Sequence, residues 1–123
     1  MEKVFFILVA SFFGFLSVLL GAFAAHFLKQ KLSSQMFDIF EVAVRYQIYH
    51  TFALFIVAIF SKIFPNIDIQ FAGWSFIFGI IIFSGSLYSL SLTGIKFFGA
   101  ITPIGGVCFL IGWGILFWKF FSK

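Results

Sequence analysis

Apolar residues fill this chain in four long runs, separated by short clusters of polar and turn-forming residues. A membrane-spanning helix needs about 20 mostly apolar residues, and each run is long enough to be one. The first, about residues 4–25, carries no charge, and the second, about 42–64, is charged only near its start. The third covers about 71–93 and the fourth about 101–121. Pro65-Asn66 with Asp68 breaks the second run from the third, and Thr93-Gly94-Ile95-Lys96 ends the third. Pro103 is expected in the first turn of the fourth helix, where a missing N–H loses no partner. The longest connection runs from Phe27 to Phe40. Within it Ser34 is the expected N-cap of a helix that starts in the interface and continues into the second span. Met36, Phe37, Ile39 and Phe40 would lie on the headgroup boundary. The expected fold is therefore all-α, a single domain over residues 1–123 built as an integral membrane bundle of four transmembrane helices.

Composition agrees with a bilayer as the solvent. Hydrophobic residues make up 63% of the 123, charged residues 10%, and Phe occurs 23 times. A soluble domain carries roughly 25% charged residues, and one of this size buries too little surface to hide so much grease. Lys3 followed by an apolar run and Ala22-Phe23-Ala24 has the outline of a secretory signal. The run exceeds the roughly 7–15 apolar residues of a signal core, so a retained helix is expected. The net charge is +4, but the basic residues form no run or stripe, which argues against nucleic acid as a partner. Lys3, Lys29, Lys31, Lys62, Lys96, Lys119 and Lys123 instead punctuate the apolar runs, as lysines do at helix ends in the interface. Cys108 is the lone cysteine, which excludes an internal disulfide and a CxxC metal site; it reads as a small packing residue.

Helices in lipid associate where small residues let backbones approach. The first span offers Ser11, Gly14, Gly21 and Ala25. The third offers Gly73, Gly79 and Gly85, and the fourth Gly105, Gly106, Gly112 and Gly114. Gly14, Gly21, Ala25, Gly85, Gly105 and Gly112 are the expected contact points between helices. Trp74, Trp113 and Trp118 are expected anchors in the interface or the bundle.

Four alternating spans bring the end of the first, the start of the second, the end of the third and the start of the fourth to one side, here side A. That side collects His26, Glu41, Arg45, Tyr46, Tyr49 and His50, with Ser84, Ser86 and Tyr88 from the third span and Thr102 from the fourth. Glu41, Arg45 and Tyr49 are four apart and share a helix face, and Glu before Arg is the favourable order for an ion pair. His50 lies deeper, about 7 Å along the helix from Arg45 at 1.5 Å per residue, and needs a hydrogen-bond partner from another helix.

These positions carry a likeness. Gly21-Ala22-Phe23-Ala24-Ala25-His26, the YQIYH of Tyr46 to His50, the FSGSLY of Phe83 to Tyr88, and the TPIGG of Thr102 to Gly106 followed by Gly112-Trp113 stand in all four spans. Together they resemble the YgdD/YwdK-like small membrane proteins, the domain of unknown function numbered 423. The resemblance implies a four-helix integral membrane protein and brings no activity, cofactor or ligand. The family pattern often has glycine where this chain has Ala24, a small-for-small change that keeps helix contact open.

Three chemical readings of the polar cluster compete with a structural one. His26, His50 and Glu41 are a two-His, one-carboxylate donor set, but they come from two helices and match no local motif such as HExxH, so neither a metal nor any other cofactor is expected. His50 beside Tyr46 and Tyr49, with Arg45 to hold an anion, has the elements of acid–base work on a lipid headgroup, with Ser84 or Ser86 as a nucleophile. Ser84-Gly85-Ser86 reads equally as a packing notch whose hydroxyls bond back to their own helix. Ionisable groups inside a membrane also mark ion pathways, here as an oligomeric channel or transporter with a shared pore, yet the opposite side offers no matching polar residues. The preferred reading is non-enzymatic: the cluster clamps the bundle, while the outer faces meet membrane lipids, other membrane proteins or a second copy. Lys3, Lys62, Lys119 and Lys123 on side B stand against Lys29, Lys31 and Lys96 on side A, with Arg45 also on side A if the paired residue is counted; by lysine count the expectation is both termini in the cytoplasm, with the bundle in a bacterial inner membrane.

Overall fold

A computed structural model of the chain describes residues 2–123, with side chains from residue 4 onward. Lys3, one of the expected side-B lysines, lies outside the described side chains. Four helices are long and apolar enough to cross a membrane: α1 Val4–Leu28, α2 Ser34–Ile63, α3 Gln70–Thr93 and α4 Phe97–Phe121. There is no strand among the described residues. Two of the helices contain a π-helical turn, Leu19–Ala24 in α1 and Ile80–Ser84 in α3.

The helix ends follow local chemistry, and two differ from expectation. α2 starts at Ser34, so much of the expected connection is helix. Its N-cap is Ser33, not Ser34. Ser33 has an extended backbone (φ −61°, ψ 160°), and its hydroxyl accepts from the Met36 N–H at 3.2 Å. α4 starts at Phe97, which puts Pro103 inside the helix and not in its first turn. Ile95 and Lys96 carbonyls receive the Phe98 and Gly99 N–H groups, at 3.2 Å and 3.0 Å, and these turns nucleate the helix well before the proline. Pro103 is exposed on the outer face, and the adjacent Thr102 hydroxyl donates to the Phe98 carbonyl at 3.2 Å. Bilayer helices tolerate proline when side chains of this kind bond the backbone around it. Gly94 closes α3 in the left-handed region (φ 72°), its N–H bonded to the Leu90 carbonyl at 2.7 Å.

α2 and α3 form the centre of the bundle. α1 packs along α2, and α4 packs along α3. Phe6 of α1 and Phe109 of α4 reach across to complete a core with Ala53, Leu54, Val57, Ala72 and Phe76. Much of that core is a ring seated on a glycine. A methyl group at Gly73 would lie 2.6 Å from Phe6 Cζ, one at Gly79 would overlap the Phe109 ring, and one at Gly112 would overlap the Phe76 ring. Gly105 is tighter still, because its missing side chain leaves room for the backbone of Phe83, inside the π-helical turn of α3.

Of the expected packing positions, Gly14 faces the Thr51 methyl, Gly21 faces Val44, Ala25 is buried, and Gly105 and Gly112 seat α3. Gly85 is a correction: a methyl there would meet nothing within 4 Å, so its missing side chain opens no space for a neighbouring helix. Gly105→Ala should therefore destabilise the bundle by about 1–3 kcal/mol through overpacking against backbone. Gly85→Ala should be neutral, or stabilising by up to about 1 kcal/mol through helix propensity. Unfolding of the two variants in mixed detergent checks the contrast.

Candidate functional site, a network of interhelical hydrogen bonds

Polar side chains inside the bundle pair across helices at four places. The most connected is Gln47 of α2, which is 3% exposed. Its Nε2 donates to the Phe13 carbonyl of α1 at 2.9 Å, and its Oε1 accepts from the Tyr88 hydroxyl of α3 at 2.7 Å. The orientation of the amide follows, since a carbonyl only accepts. Phe13 O also receives the Ser17 hydroxyl at 2.7 Å, so one α1 carbonyl serves both a local and an interhelical donor. One carboxamide thus joins three helices.

His50, one turn deeper on α2, joins the fourth. Trp113 of α4 donates its indole N–H to His50 Nε2 at 3.0 Å, and Nδ1 lies 2.8 Å from the Tyr46 carbonyl. Indole is a donor only and a carbonyl an acceptor only. These partners fix the Nδ1–H tautomer of a neutral imidazole and occupy both nitrogens. The ring stacks on Phe109 with centroids 3.6 Å apart and planes 9° from parallel. Phe109 can sit there because Gly79 gives it space on the α3 side.

Two hydroxyl bonds complete the set. Ser84, at the end of the α3 π turn, donates to the Ala43 carbonyl of α2 at 2.7 Å. Ser86 and Thr102 lie 2.6 Å apart and tie α3 to α4. Among the described residues, no buried side-chain nitrogen or oxygen lacks a hydrogen-bond partner.

The expected cluster therefore divides. His50, Ser84, Ser86, Tyr88 and Thr102 are joined to neighbouring helices. Ser84 bonds across to α2, where a bond back to its own helix was the structural expectation; Ser86 does both, bonding its own Phe83 carbonyl at 2.9 Å as well as Thr102. Tyr46 and Tyr49 sit at the exposed edge with ring centroids 5.7 Å apart, and Tyr46 also packs on Phe83 at 4.8 Å. His26 is exposed and makes no hydrogen bond to the network. No group of three His, Cys, Asp or Glu is placed to hold a metal among the described residues, so His26, His50 and Glu41 do not form a donor set. Glu41 and Arg45 share a helix face, as their spacing requires, and line one shallow cleft with Gly21, Ala25 and Val44. No ion pair within 4.0 Å joins them among the described residues, and Arg45 is exposed while Glu41 is half-buried.

Sequence reasoning missed Gln47, the centre of the network, and with it Ser17 and Thr51, whose hydroxyl donates to the Gln47 carbonyl at 2.7 Å. Gln47 was readable: a carboxamide within a membrane-spanning helix requires internal partners, since the hydrocarbon offers none. Trp113, expected only as an anchor, is the donor to His50.

Comparison with known proteins places this architecture among membrane proteins. The family described as "Protein of unknown function (DUF423)" matches residues 20–106. A UPF0382 membrane protein of Staphylococcus epidermidis is 46% identical over 111 residues, which cover 90% of each chain. The UPF0382 membrane protein YwdK of Bacillus subtilis is 43% identical over 109 residues, 88% of this chain and 89% of the relative. A UPF0382 membrane protein of Staphylococcus aureus strain USA300 is 48% identical over 111 residues, 90% of each chain. No solved structure matches this chain.

The Gln47 to Tyr88 bond can be weighed by a double-mutant cycle. Gln47→Leu and Tyr88→Phe should each destabilise, and the double variant should lose less than the sum of the two. Interhelical bonds in membranes average about 0.6 kcal/mol and reach about 1.7, and a coupling energy in that range is expected from unfolding in mixed detergent. Zero coupling would mean that the bond does not hold α2 to α3.

Proposed function

This chain belongs to the DUF423 family of membrane proteins, and we propose that it acts there as a non-enzymatic scaffold, a rigid four-helix body whose outer faces bind membrane lipid and support neighbouring membrane proteins or a second copy. One observation carries the reading: the buried polar groups have partners within the chain. A general base needs a free lone pair, and both nitrogens of His50 are engaged. A serine nucleophile needs an adjacent base, while Ser84 donates to a backbone carbonyl. A conduction path needs polar groups that exchange partners with a passing ion, whereas this network holds helices together.

The outward surface supports the other half of the proposal. Phe15, Phe23, Leu110 and Phe117 are all at least 66% exposed. Such surface is at rest only against acyl chains or another apolar surface. Lys62, Lys119 and Lys123 are exposed at the end of the bundle where α2 and α4 finish, against exposed Lys29, Lys31 and Lys96 at the other end; with Lys3 the lysine count is four against three, and on that count the positive-inside rule favours the first end as cytoplasmic. The proposed location is the bacterial cytoplasmic membrane.

Trp113→Phe tests the scaffold reading, since it removes the indole donor and keeps a ring. Melting temperature in detergent and abundance in the membrane should fall together with any growth defect it causes. Reconstituted wild-type protein should leave proton and potassium gradients across vesicles intact. A variant that loses function at wild-type melting and abundance, or vesicles that leak, would overturn the proposal in favour of chemistry or transport. Topology has a separate check. In a Cys108→Ala background, Lys123→Cys should react with an impermeant maleimide only after permeabilisation, and Gln30→Cys should react in intact cells. The reverse pattern would invert the assigned orientation.

A further inference from the structure

The cleft between α1 and α2 is lined by two charged side chains, Glu41 and Arg45, that take no part in the interhelical network. Glu41 is half-buried and Arg45 exposed, and both line it over a floor of Gly21, Ala25 and Val44. The cleft has a volume of about 110 Å³. Gly21 lies within the π-helical turn of α1, a feature frequent at functional sites. An acid and a guanidinium four apart on a helix ordinarily bond each other. Here they share a cleft with no ion pair between them, so each is available to a ligand.

Depth along the membrane selects the kind of ligand. α2 has 30 residues, about 45 Å at 1.5 Å per residue, against a hydrocarbon thickness of about 30 Å. Its far end is fixed at the opposite surface, where Lys62 and the Pro65-Asn66 turn follow at once. About ten residues at its beginning therefore extend into the headgroup layer, and Glu41 and Arg45 flank that boundary. On α1, Gly14, Phe15, Val18 and Leu19 border a further apolar groove of about 470 Å³ at the depth of the acyl chains.

We propose that this cleft binds the headgroup of an aminophospholipid of the phosphatidylethanolamine type, with Arg45 on the phosphate and Glu41 on the primary ammonium. This deepens the lipid-binding part of the scaffold reading and rests on it. A simple anion would be repelled by Glu41 and a simple cation by Arg45. A zwitterion whose charges are separated by two carbons meets both. A quaternary ammonium has no N–H to give Glu41, and a glycerol headgroup has no positive charge. His26, Lys29 and Lys31 are exposed on the same side, and Lys31 Nζ lies 4.0 Å over the Phe27 ring; they add positive potential near the phosphate without supplying a partner for an ammonium.

The test measures lipid binding to the delipidated full chain in detergent by native mass spectrometry, with melting temperature as a second readout. The probes are phosphatidylethanolamine, phosphatidylglycerol and phosphatidylcholine with identical acyl chains, and glycerophosphoethanolamine as the free headgroup. Wild type should prefer phosphatidylethanolamine to the other two lipids by about tenfold, the effect of one charge-assisted hydrogen bond. Glu41→Gln should abolish the preference over phosphatidylglycerol, and Arg45→Gln should weaken binding of all three phospholipids. Equal binding of the three lipids by wild type overturns the proposal without any variant. So does a preference that survives Glu41→Gln. Protection by glycerophosphoethanolamine equal to that of the lipid would assign the cleft to a soluble ligand. None of these outcomes touches Trp113 or vesicle tightness, so the cleft and the scaffold can fail separately.

Discussion

A carboxamide has four hydrogen-bonding positions, and inside a hydrocarbon slab none can turn to water. Gln47 stands at that disadvantage about a turn inside the bundle, where it is almost wholly buried, and the arrangement of three helices follows from its remedy. Its N–H reaches the Phe13 carbonyl of α1 and its oxygen takes the Tyr88 hydroxyl of α3. Sliding any of the three helices by one residue, about 1.5 Å, would break a bond that no solvent can replace. Lipid supplies little drive for apolar faces to find each other, so register must come from directional bonds and from shape. Ser84 on the Ala43 carbonyl repeats the constraint between α2 and α3, and the Trp113 to His50 bond extends it to α4.

Shape supplies the second constraint, and it gives the Phe-rich, Gly-rich composition a physical role. A phenylalanine ring is a flat body of large area, and two helices bearing such rings face to face would be held apart. Here the rings of Phe6, Phe76 and Phe109 each occupy the place of a missing side chain, at Gly73, Gly112 and Gly79. At Gly105 the notch admits backbone, and the π turn of α3 sits against it. The same turn ends at Ser84, whose hydroxyl crosses to α2. Close approach on one side of α3 and a hydrogen bond on the other thus meet within one irregular segment.

The number of spans was legible because hydropathy over 20 residues requires no knowledge of phase or contacts. Helix starts were less so. The beginning of α2 carries Gln35 and Asp38, which lower its hydropathy while leaving it fully able to be helical, and helix nucleation at Ile95 and Lys96 overrode the usual place of a proline. Gly85 shows the limit of reasoning from residue size alone, which gives no face. Gly85 follows the π turn Ile80–Ser84 directly, and such a turn inserts a residue and so shifts the face of every position after it. Within the site, ionisable residues drew attention that belonged to an amide. His50, Ser84, Ser86, Tyr88 and Thr102 were readable as polar groups at one end of the bundle, but their partners depended on contacts that spacing does not encode.

The division of polar groups is itself an argument about where the chain meets other molecules. Groups deep in the bundle are uncharged and bonded internally: Gln47, His50 in its neutral tautomer, and the hydroxyls of Ser84, Ser86 and Tyr88. A neutral group can be satisfied by one or two hydrogen bonds, whereas a full charge in hydrocarbon is far more expensive to hold. Glu41 and Arg45 are charged, are spared that burial by their place near the headgroups, and are left without each other. Removing one buried group from the network strands its partner and weakens the fold, so selection for stability alone accounts for the interior. The same reasoning does not reach the cleft, where Arg45 is exposed and Glu41 half-buried. Charges placed there face the headgroup layer, and the molecules that fill that layer are lipids.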